Sequence, residues 1–234
     1  MNEKITCIEI LSKINSEIKH SSNRYLLIFD LDDTIFDTSY RRHFIYENFL
    51  KEQFKLPNLH FNFHRKYYNF PPLIEKCKFF QENNLEILKI FLNFYISESY
   101  LHLDIPFFGV SQFFNHLSKI ENKVFFLTGR NKSTMQMKTY QLLQKYRLLS
   151  HHNNQNYLIM KKNTKIPDKL FKVKELKYIL NQFPENKIII IDNESENCKI
   201  FEENLPNDSL IVRFNSVQKK KCDFDGFILE NWYI

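Results

Sequence analysis

The stretch Tyr25-Leu-Leu-Ile-Phe-Asp-Leu-Asp-Asp-Thr-Ile-Phe-Asp37 decides how the rest of the chain is read. Tyr25 to Phe29 is an unbroken apolar run of strand length, as expected of a strand buried on both faces. It stops at Asp30, and Asp32 and Asp33 follow before Thr34. Open parallel sheets bind ligands beyond the carboxyl ends of their strands, so carboxylates at this tip stand where chemistry is usually placed. Carboxylates held so close repel one another unless a cation or a bound proton relieves them. Mg²⁺, which favours oxygen ligands, suits them best. The plainer alternative is a turn in which aspartates merely end the strand.

Two further stretches repeat the pattern downstream. Lys123-Val-Phe-Phe-Leu-Thr-Gly-Arg130 reads as a buried strand ending in Thr128, Gly129 and Arg130. A hydroxyl, a small residue and a guanidinium at a strand tip suit an oxyanion or a phosphate, although a capped strand-to-helix turn has the same composition. Lys187-Ile-Ile-Ile-Ile-Asp192 is the third such strand, with Asn193 and Glu196 just beyond its tip. Between these strands the spacing predicts helices over Val110 to Ile120, Ser133 to Tyr146 and onward from about Leu170, with a short strand at Tyr157 to Met160. Val110, Phe113, Phe114 and Leu117 would face inward. Lys169, Lys172 and Lys174 cluster at the start of the helix near Leu170. Leu210 to Phe214 reads as one more strand, and Phe227 to Leu229 as another at an edge. Strand, tip and helix in alternation describe a doubly wound α/β domain with a mainly parallel sheet.

The segments before and after the first strand have a different texture. Ile5, Ile8, Leu11, Ile14 and Ile18 recur at steps of three and four, predicting an amphipathic helix packed on the outside of the domain. From Tyr40 to Leu101 the chain is rich in Phe, Tyr, Asn and Lys, and no strong buried strand interrupts it. Phe44, Phe49 and Leu50 mark one helical stretch, and Leu85, Leu88, Phe91, Leu92 and Tyr95 another, around an irregular piece containing Pro71-Pro72. An excursion of roughly sixty residues at a strand tip is usually a lid or a small domain. The expected division is a core of residues 1–37 and 102–234 and a helical cap of residues 38–101. Arg41 and Arg42 stand where a cap would reach into the cleft, or on an ordinary exposed helix face. His60 and His64 have a spacing compatible with one helix face, but no acidic neighbour completes a zinc pattern. His151-His152 lies in an Asn-rich loop.

Composition sets the outer limits. With 234 residues and 43% hydrophobic content, the chain can bury a sizeable core. Only 3 glycines are present, and no Gly-x-Gly-x-x-Gly or Walker loop occurs, which argues against a nucleotide cradle of glycine backbone. A net charge of +6 suits anionic substrates, though a solvated lysine surface, including Lys219-Lys-Lys221, explains it as well. Cys7, Cys77, Cys198 and Cys222 show no paired spacing, which argues against disulfides and zinc and for free thiols in a reducing compartment. The opening Met-Asn-Glu-Lys-Ile-Thr lacks a signal-peptide core, and no run reaches transmembrane length. The expectation is a cytoplasmic protein without a membrane partner.

Together the three tips resemble the four signatures of the haloacid dehalogenase-like (HAD) hydrolase superfamily, in order and at strand ends. Asp30-Leu-Asp-Asp-Thr34 is similar to its Asp-x-Asp-x-Thr signature, Thr128 to the second, Lys172 (with Lys169 as second choice) to the third, and Asp192 to the fourth. The resemblance implies a Rossmann-like HAD core and a C1-type helical cap inserted after the first core strand. It implies Asp30 as nucleophile, carrying a transient aspartyl-phosphate, and Asp32 as general acid and base. Lys172 would balance negative charge, Thr34, Gly129 and Arg130 would help bind phosphate, and Asp30, Asp192 and the backbone carbonyl of Asp32 would bind Mg²⁺. Glu196 matches the later acidic position, whereas Asn193 replaces a second aspartate found in many relatives. A carboxyl at position 32 fits phosphoryl transfer rather than dehalogenation. The implied activity is a Mg²⁺-dependent phosphomonoester hydrolase, a phosphatase acting on a small phosphorylated metabolite such as a nucleotide. Two other readings stay open. One is a phosphatase of macromolecules, such as nucleic-acid ends or phosphoproteins, whose bases would stack on aromatics. The other is a catalytically silent module that keeps the fold. The sequence leaves the oligomeric state undetermined.

Overall fold

The structure, a computed structural model, describes residues 3–20, 25–53, 78–120, 122–149, 155–162, 165–184 and 187–234. His60, His64, Pro71-Pro72, Cys77 and His151-His152 lie outside the described residues. In chain order the elements are β1 (Glu3–Ile5), α1 (Cys7–His20), β2 (Tyr25–Phe29), β3 (Phe36–Asp37), α2 (Ser39–Gln53) and α3 (Lys78–Tyr95). After a 3₁₀ turn at Leu101–Leu103 come β4 (Ile105–Pro106), α4 (Val110–Leu117), β5 (Lys123–Asn131), α5 (Lys132–Lys145) and β6 (Gln155–Lys161). The last are α6 (Asp168–Gln182), β7 (Lys187–Asp192), α7 (Ser195–Asn204), β8 (Leu210–Phe214) and β9 (Phe227–Leu229).

Among the described residues one seven-stranded sheet runs in the order β1-β9-β8-β7-β2-β5-β6, and β3 pairs with β4 in a separate two-stranded ribbon. Every pairing in the large sheet is parallel, while the ribbon is antiparallel. The continuous apolar runs follow from that arrangement, because both faces of the sheet are covered. Leu27 and Phe29 of β2 face a cluster that includes Ile10, Ile14, Phe113, Leu117 and Trp232. Leu26 and Ile28 face a second cluster, with Phe171 and Leu176 of α6 and Cys198 and Phe201 of α7. Alternate residues of one strand thus serve two cores, so a polar residue fits neither face until the strand ends.

The chain leaves β2 for β5 and β6 on one side and later returns to β7, β8 and β9 on the other. The crevice between outward-running neighbours is where doubly wound sheets bind ligands. Phe29 is in register with Phe126 on one side and Ile191 on the other, so Asp30 and Asp192 emerge side by side.

Three expectations change. β1 is an unanticipated strand that pairs with β9, so Phe227–Leu229 is an inner strand and β1 is the edge. Ile5 therefore belongs to β1, and α1 buries Cys7, Ile10, Leu11 and Ile14, whereas Ile8 is 55% exposed. A helix that starts at Cys7 places Ile10 and Ile14 on the Cys7 face and turns Ile8 about 100° away. In α3 the described inward residues are Ile87 and Phe91, while Leu85, Leu88 and Leu92 are exposed. Cys7, Cys198 and Cys222 are free. No helix among the described residues is long and apolar enough to cross a membrane.

Candidate active site

The tip of β2 is made by a tight turn. Asp30 N–H still bonds the Ile191 carbonyl of β7 at 2.9 Å, while Leu31 C=O accepts from the N–H groups of Thr34, Ile35 and Phe36. Asp33 takes a left-handed φ of 57°, which Asp tolerates better than most residues. The turn presents Asp30, Asp32 and Thr34 on successive sides of one small loop. Trp232, fully buried, donates its indole N–H to the Thr34 carbonyl at 3.0 Å and supports the loop from below.

Lys172 projects from the second turn of α6 into the crevice. Its ammonium donates to Asp30 Oδ1 at 2.8 Å and to Asp192 Oδ2 at 2.7 Å, and Asp168 Oδ2 lies 3.7 Å away. The other Asp30 oxygen lies 3.2 Å from Thr34 Oγ1, which also accepts the Asn193 N–H at 3.0 Å. Asp192 is held by the Glu194 N–H and by the Asn197 carboxamide, which reaches both of its oxygens. Burial pushes the Asp30 carboxyl well above the usual range; Lys172 opposes the shift and Asp192 adds to it. Burial disfavours the charged lysine, yet the two carboxylates hold its proton more tightly than in water.

A second set of charges surrounds Asp32. Arg130 donates to Asp32 Oδ1 through Nε at 2.9 Å and Nη2 at 2.5 Å, and Arg41 Nη2 reaches the same oxygen at 3.2 Å. Both arginines also meet Asp104, Arg130 Nη2 at 2.7 Å and Arg41 Nε in ion-pair contact at 3.1 Å. Asp32, Arg130, Asp104 and Arg41 therefore close a ring of alternating charge. Burial alone would raise the Asp32 carboxyl, but Arg130 and then Arg41 outweigh it and hold it at about 2. At Asp104 burial wins over the same two arginines and lifts the carboxyl to about 6. Asp33 pairs with Arg42, so two consecutive aspartates are gripped by two consecutive arginines.

The structure thus brings Asp30, Asp32, Thr34, Lys172, Asp192 and Asn193 to one crevice. Lys172, and not Lys169, touches Asp30; Lys169 is a surface residue facing Glu196 at 3.4 Å. Glu196 faces Lys169 and Lys220 instead of the crevice, and Asn197 is the α7 side chain that meets Asp192. Asn193 ties Thr34 to the Val217 carbonyl, to which its amide donates at 2.6 Å. Thr128 is buried at the β5 tip, where its hydroxyl accepts the Arg130 N–H at 3.3 Å. Arg130, expected to help hold substrate, is instead buried against Asp32, Asp104 and Thr139. Gly129 lies beneath the Asp168 carboxylate, and a Cβ there would fall 2.2 Å from Asp168 Oδ1.

Arg41 and Arg42 prove to be buried partners of the aspartates, not solvated helix residues. Asp104, Asn197, Asp168 and Trp232 went unnoticed in the sequence. Asp104 carried a faint signal, a lone carboxylate inside Leu101-His-Leu-Asp-Ile-Pro106.

Sheet order, switch-point crevice and carboxylate–lysine cluster define a doubly wound α/β protein with its polar site at the tips of β2, β5 and β7. Solved structures give that class its fold name. The chain is similar to a HAD-superfamily hydrolase of subfamily IA from Geobacter sulfurreducens (TM-score 0.59, 15% identity, covering 91% of this chain and 96% of that one). It is similar also to a structure described as a predicted phosphatase from Clostridium acetobutylicum (TM-score 0.55, 14% identity, 89% and 95% covered). Protein Tyrosine Kinase A of Mycobacterium tuberculosis matches too (TM-score 0.59, 15% identity, 90% and 95% covered). No protein-family model and no curated protein matches the chain. The protein has the haloacid dehalogenase-like hydrolase fold.

Proposed function

We propose that the protein is a Mg²⁺-dependent phosphatase that hydrolyses a small phosphorylated molecule through an aspartyl-phosphate on Asp30. One observation carries the reading: Lys172 bridges Asp30 and Asp192 at adjacent strand tips, at 2.8 Å and 2.7 Å, with Thr34 beside the other oxygen of Asp30. A carboxylate fixed at both oxygens and facing a crevice is a pre-oriented nucleophile.

In this reading an Asp30 oxygen attacks phosphorus and the electron pair of the breaking P–O bond passes to the leaving oxygen. Asp32 supplies the proton that the departing oxygen takes up. The arriving phosphoryl anion raises the proton affinity of Asp32, against the pull of its arginines. Water then attacks phosphorus, Asp32 in its ionised form takes the water's proton, and the pair returns to the Asp30 carboxylate. Lys172 offsets the charge that accumulates on Asp30 and on the phosphoryl group. In this reading Thr128, buried at the tip of the neighbouring strand β5, would offer its hydroxyl to a phosphoryl oxygen.

The donor set suits Mg²⁺. Asp30 and Asp192 share a single lysine, which leaves one negative charge uncompensated, and burial makes two ionised carboxylates costly there. Asp30, Asp192 and the backbone carbonyl of Asp32 would hold the ion. When bound it supplies positive charge to the phosphoryl oxygens. Residues 38–101 serve as a cap over a core of residues 1–37 and 102–234.

The test is release of phosphate from 4-nitrophenyl phosphate and a metabolite panel, with Mg²⁺ and with EDTA. Asp30→Asn should lose on the order of a thousandfold or more in kcat, because a carboxamide cannot carry the acyl-phosphate. Turnover that survives Asp30→Asn, or proceeds equally in EDTA, refutes the reading.

A further inference from the structure

The ring around Asp32 joins four parts of the chain. Asp32 follows β2, Arg130 belongs to β5, Arg41 lies in the first turn of α2, and Asp104 stands where the chain comes back from the insertion. Arg41 is the member that links the insertion to the crevice. It is fully buried, stacks over the Tyr95 ring at 4.1 Å, and donates to the Tyr95 carbonyl at 3.3 Å. Its remaining contacts go to Asp104 and Asp32. The side chain thus gathers the entry helix, the end of α3 and the exit segment onto one carboxylate oxygen.

Arg130 alone would attach Asp32 to the core through one guanidinium. The second, arriving from another element, restrains the carboxylate from swinging about the first. Arg42 repeats the arrangement one residue along, meeting Asp33 and Thr38 at 2.5 Å each. The loop that carries Asp32 is therefore clamped to α2 by adjacent residues on both sides.

We propose that Arg41 is a positioning residue: it fixes the orientation of the Asp32 carboxylate according to where α2 and the end of α3 are seated, so the seating of the insertion sets the competence of Asp32. The inference rests on the acid–base role proposed for Asp32. It gives the two consecutive arginines a task distinct from holding substrate, since the Arg41 side chain is enclosed by Tyr95, Asp104 and Asp32.

The experiment measures kcat and KM for 4-nitrophenyl phosphate in wild type, Arg41→Lys, Arg41→Gln, Asp32→Asn and Arg41→Gln/Asp32→Asn. Arg41→Gln should lower kcat about tenfold or more with KM within about twofold, as displacement of an acid–base group predicts. Arg41→Lys should recover part of that loss. In the Asp32→Asn background Arg41→Gln should cost less than about twofold further, because residues that act through one another are not additive. If Arg41→Gln fails to fold, the charge-balanced Arg41→Gln/Asp104→Asn pair replaces it and leaves Asp32 with Arg130. A loss that resides in KM, or equal losses with and without the Asp32 carboxyl, overturns the inference while the phosphatase reading stands. Absence of turnover in wild type, or full turnover in Asp30→Asn, brings down the phosphatase reading and the inference with it.

Discussion

At the scale of single residues, the charged ring shows how one environment moves two aspartates in opposite directions. Asp32 is partly exposed and is held at about 2, whereas Asp104 is fully enclosed and is raised to about 6 by burial despite the same arginine partners. The unfolded chain binds these protons near pH 4. For Asp104 the native state keeps a proton that the unfolded chain has lost, so its contribution to stability is complete below pH 4 and declines as pH rises through about 6. Asp32 has the opposite sign, gaining between about pH 2 and pH 4. Asp104→Asn should therefore flatten the fall of Tm between pH 4 and pH 6, checked by melting both proteins at half-unit steps. Glu194, raised to about 7 by burial, adds a decline of its own that extends to about pH 7. Of this ring only Asp104 went unread in the sequence, where Asp32, Arg41 and Arg130 each stood out. A strand that ends in carboxylates announces itself by position, but the partner of Asp104 is chosen by the return path of the chain.

Elements were easier to read where both faces are buried. β2, β7, β8 and β9 fall within the residues that their apolar runs bound, and α4 buries the four side chains expected of it. β1 escaped because a three-residue edge strand with only Ile5 buried has no pattern to count. The face of α1 was misjudged for a related reason: two isoleucine series overlap, and only the true helix start selects between them. That choice has a direct test in urea unfolding. Ile10→Ala, which removes a side chain 1% exposed, should cost about 2–4 kcal/mol. Ile8→Ala, at a position 55% exposed, should stay within about 0.5 kcal/mol. A larger cost for Ile8→Ala than for Ile10→Ala would mean that the helix presents the other face to the core.

Across the whole molecule, the residues after β9 join the core cluster to the active-site loop. Trp232 packs against Phe29, Phe113 and Phe214 and caps Thr34, and its carbonyl lies so close to Gly109, at φ 92°, that any Cβ there would meet it at 2.2 Å. Trp232→Phe keeps most of the packing but leaves the Thr34 carbonyl without its donor, so stability should fall by about 1–3 kcal/mol. Trp232→Ala should lose about 3–5 kcal/mol. Calorimetry of the two variants separates the hydrogen bond from the volume.

The order of the sheet also governs time. The ribosome delivers β2 before β5 and β7, yet β2 lies inside the finished sheet, with β5 on one flank and β7 on the other. The strand that ends in Asp30 must wait, its Leu26 and Ile28 face uncovered and its β7 edge unpaired, until Lys172 arrives 142 positions later and β7 follows it. Closing such long loops precedes any gain from the contacts they make, which slows folding and lengthens the exposure of sticky strands. A chain built this way has most need of a chaperone while that face and edge of β2 stand open.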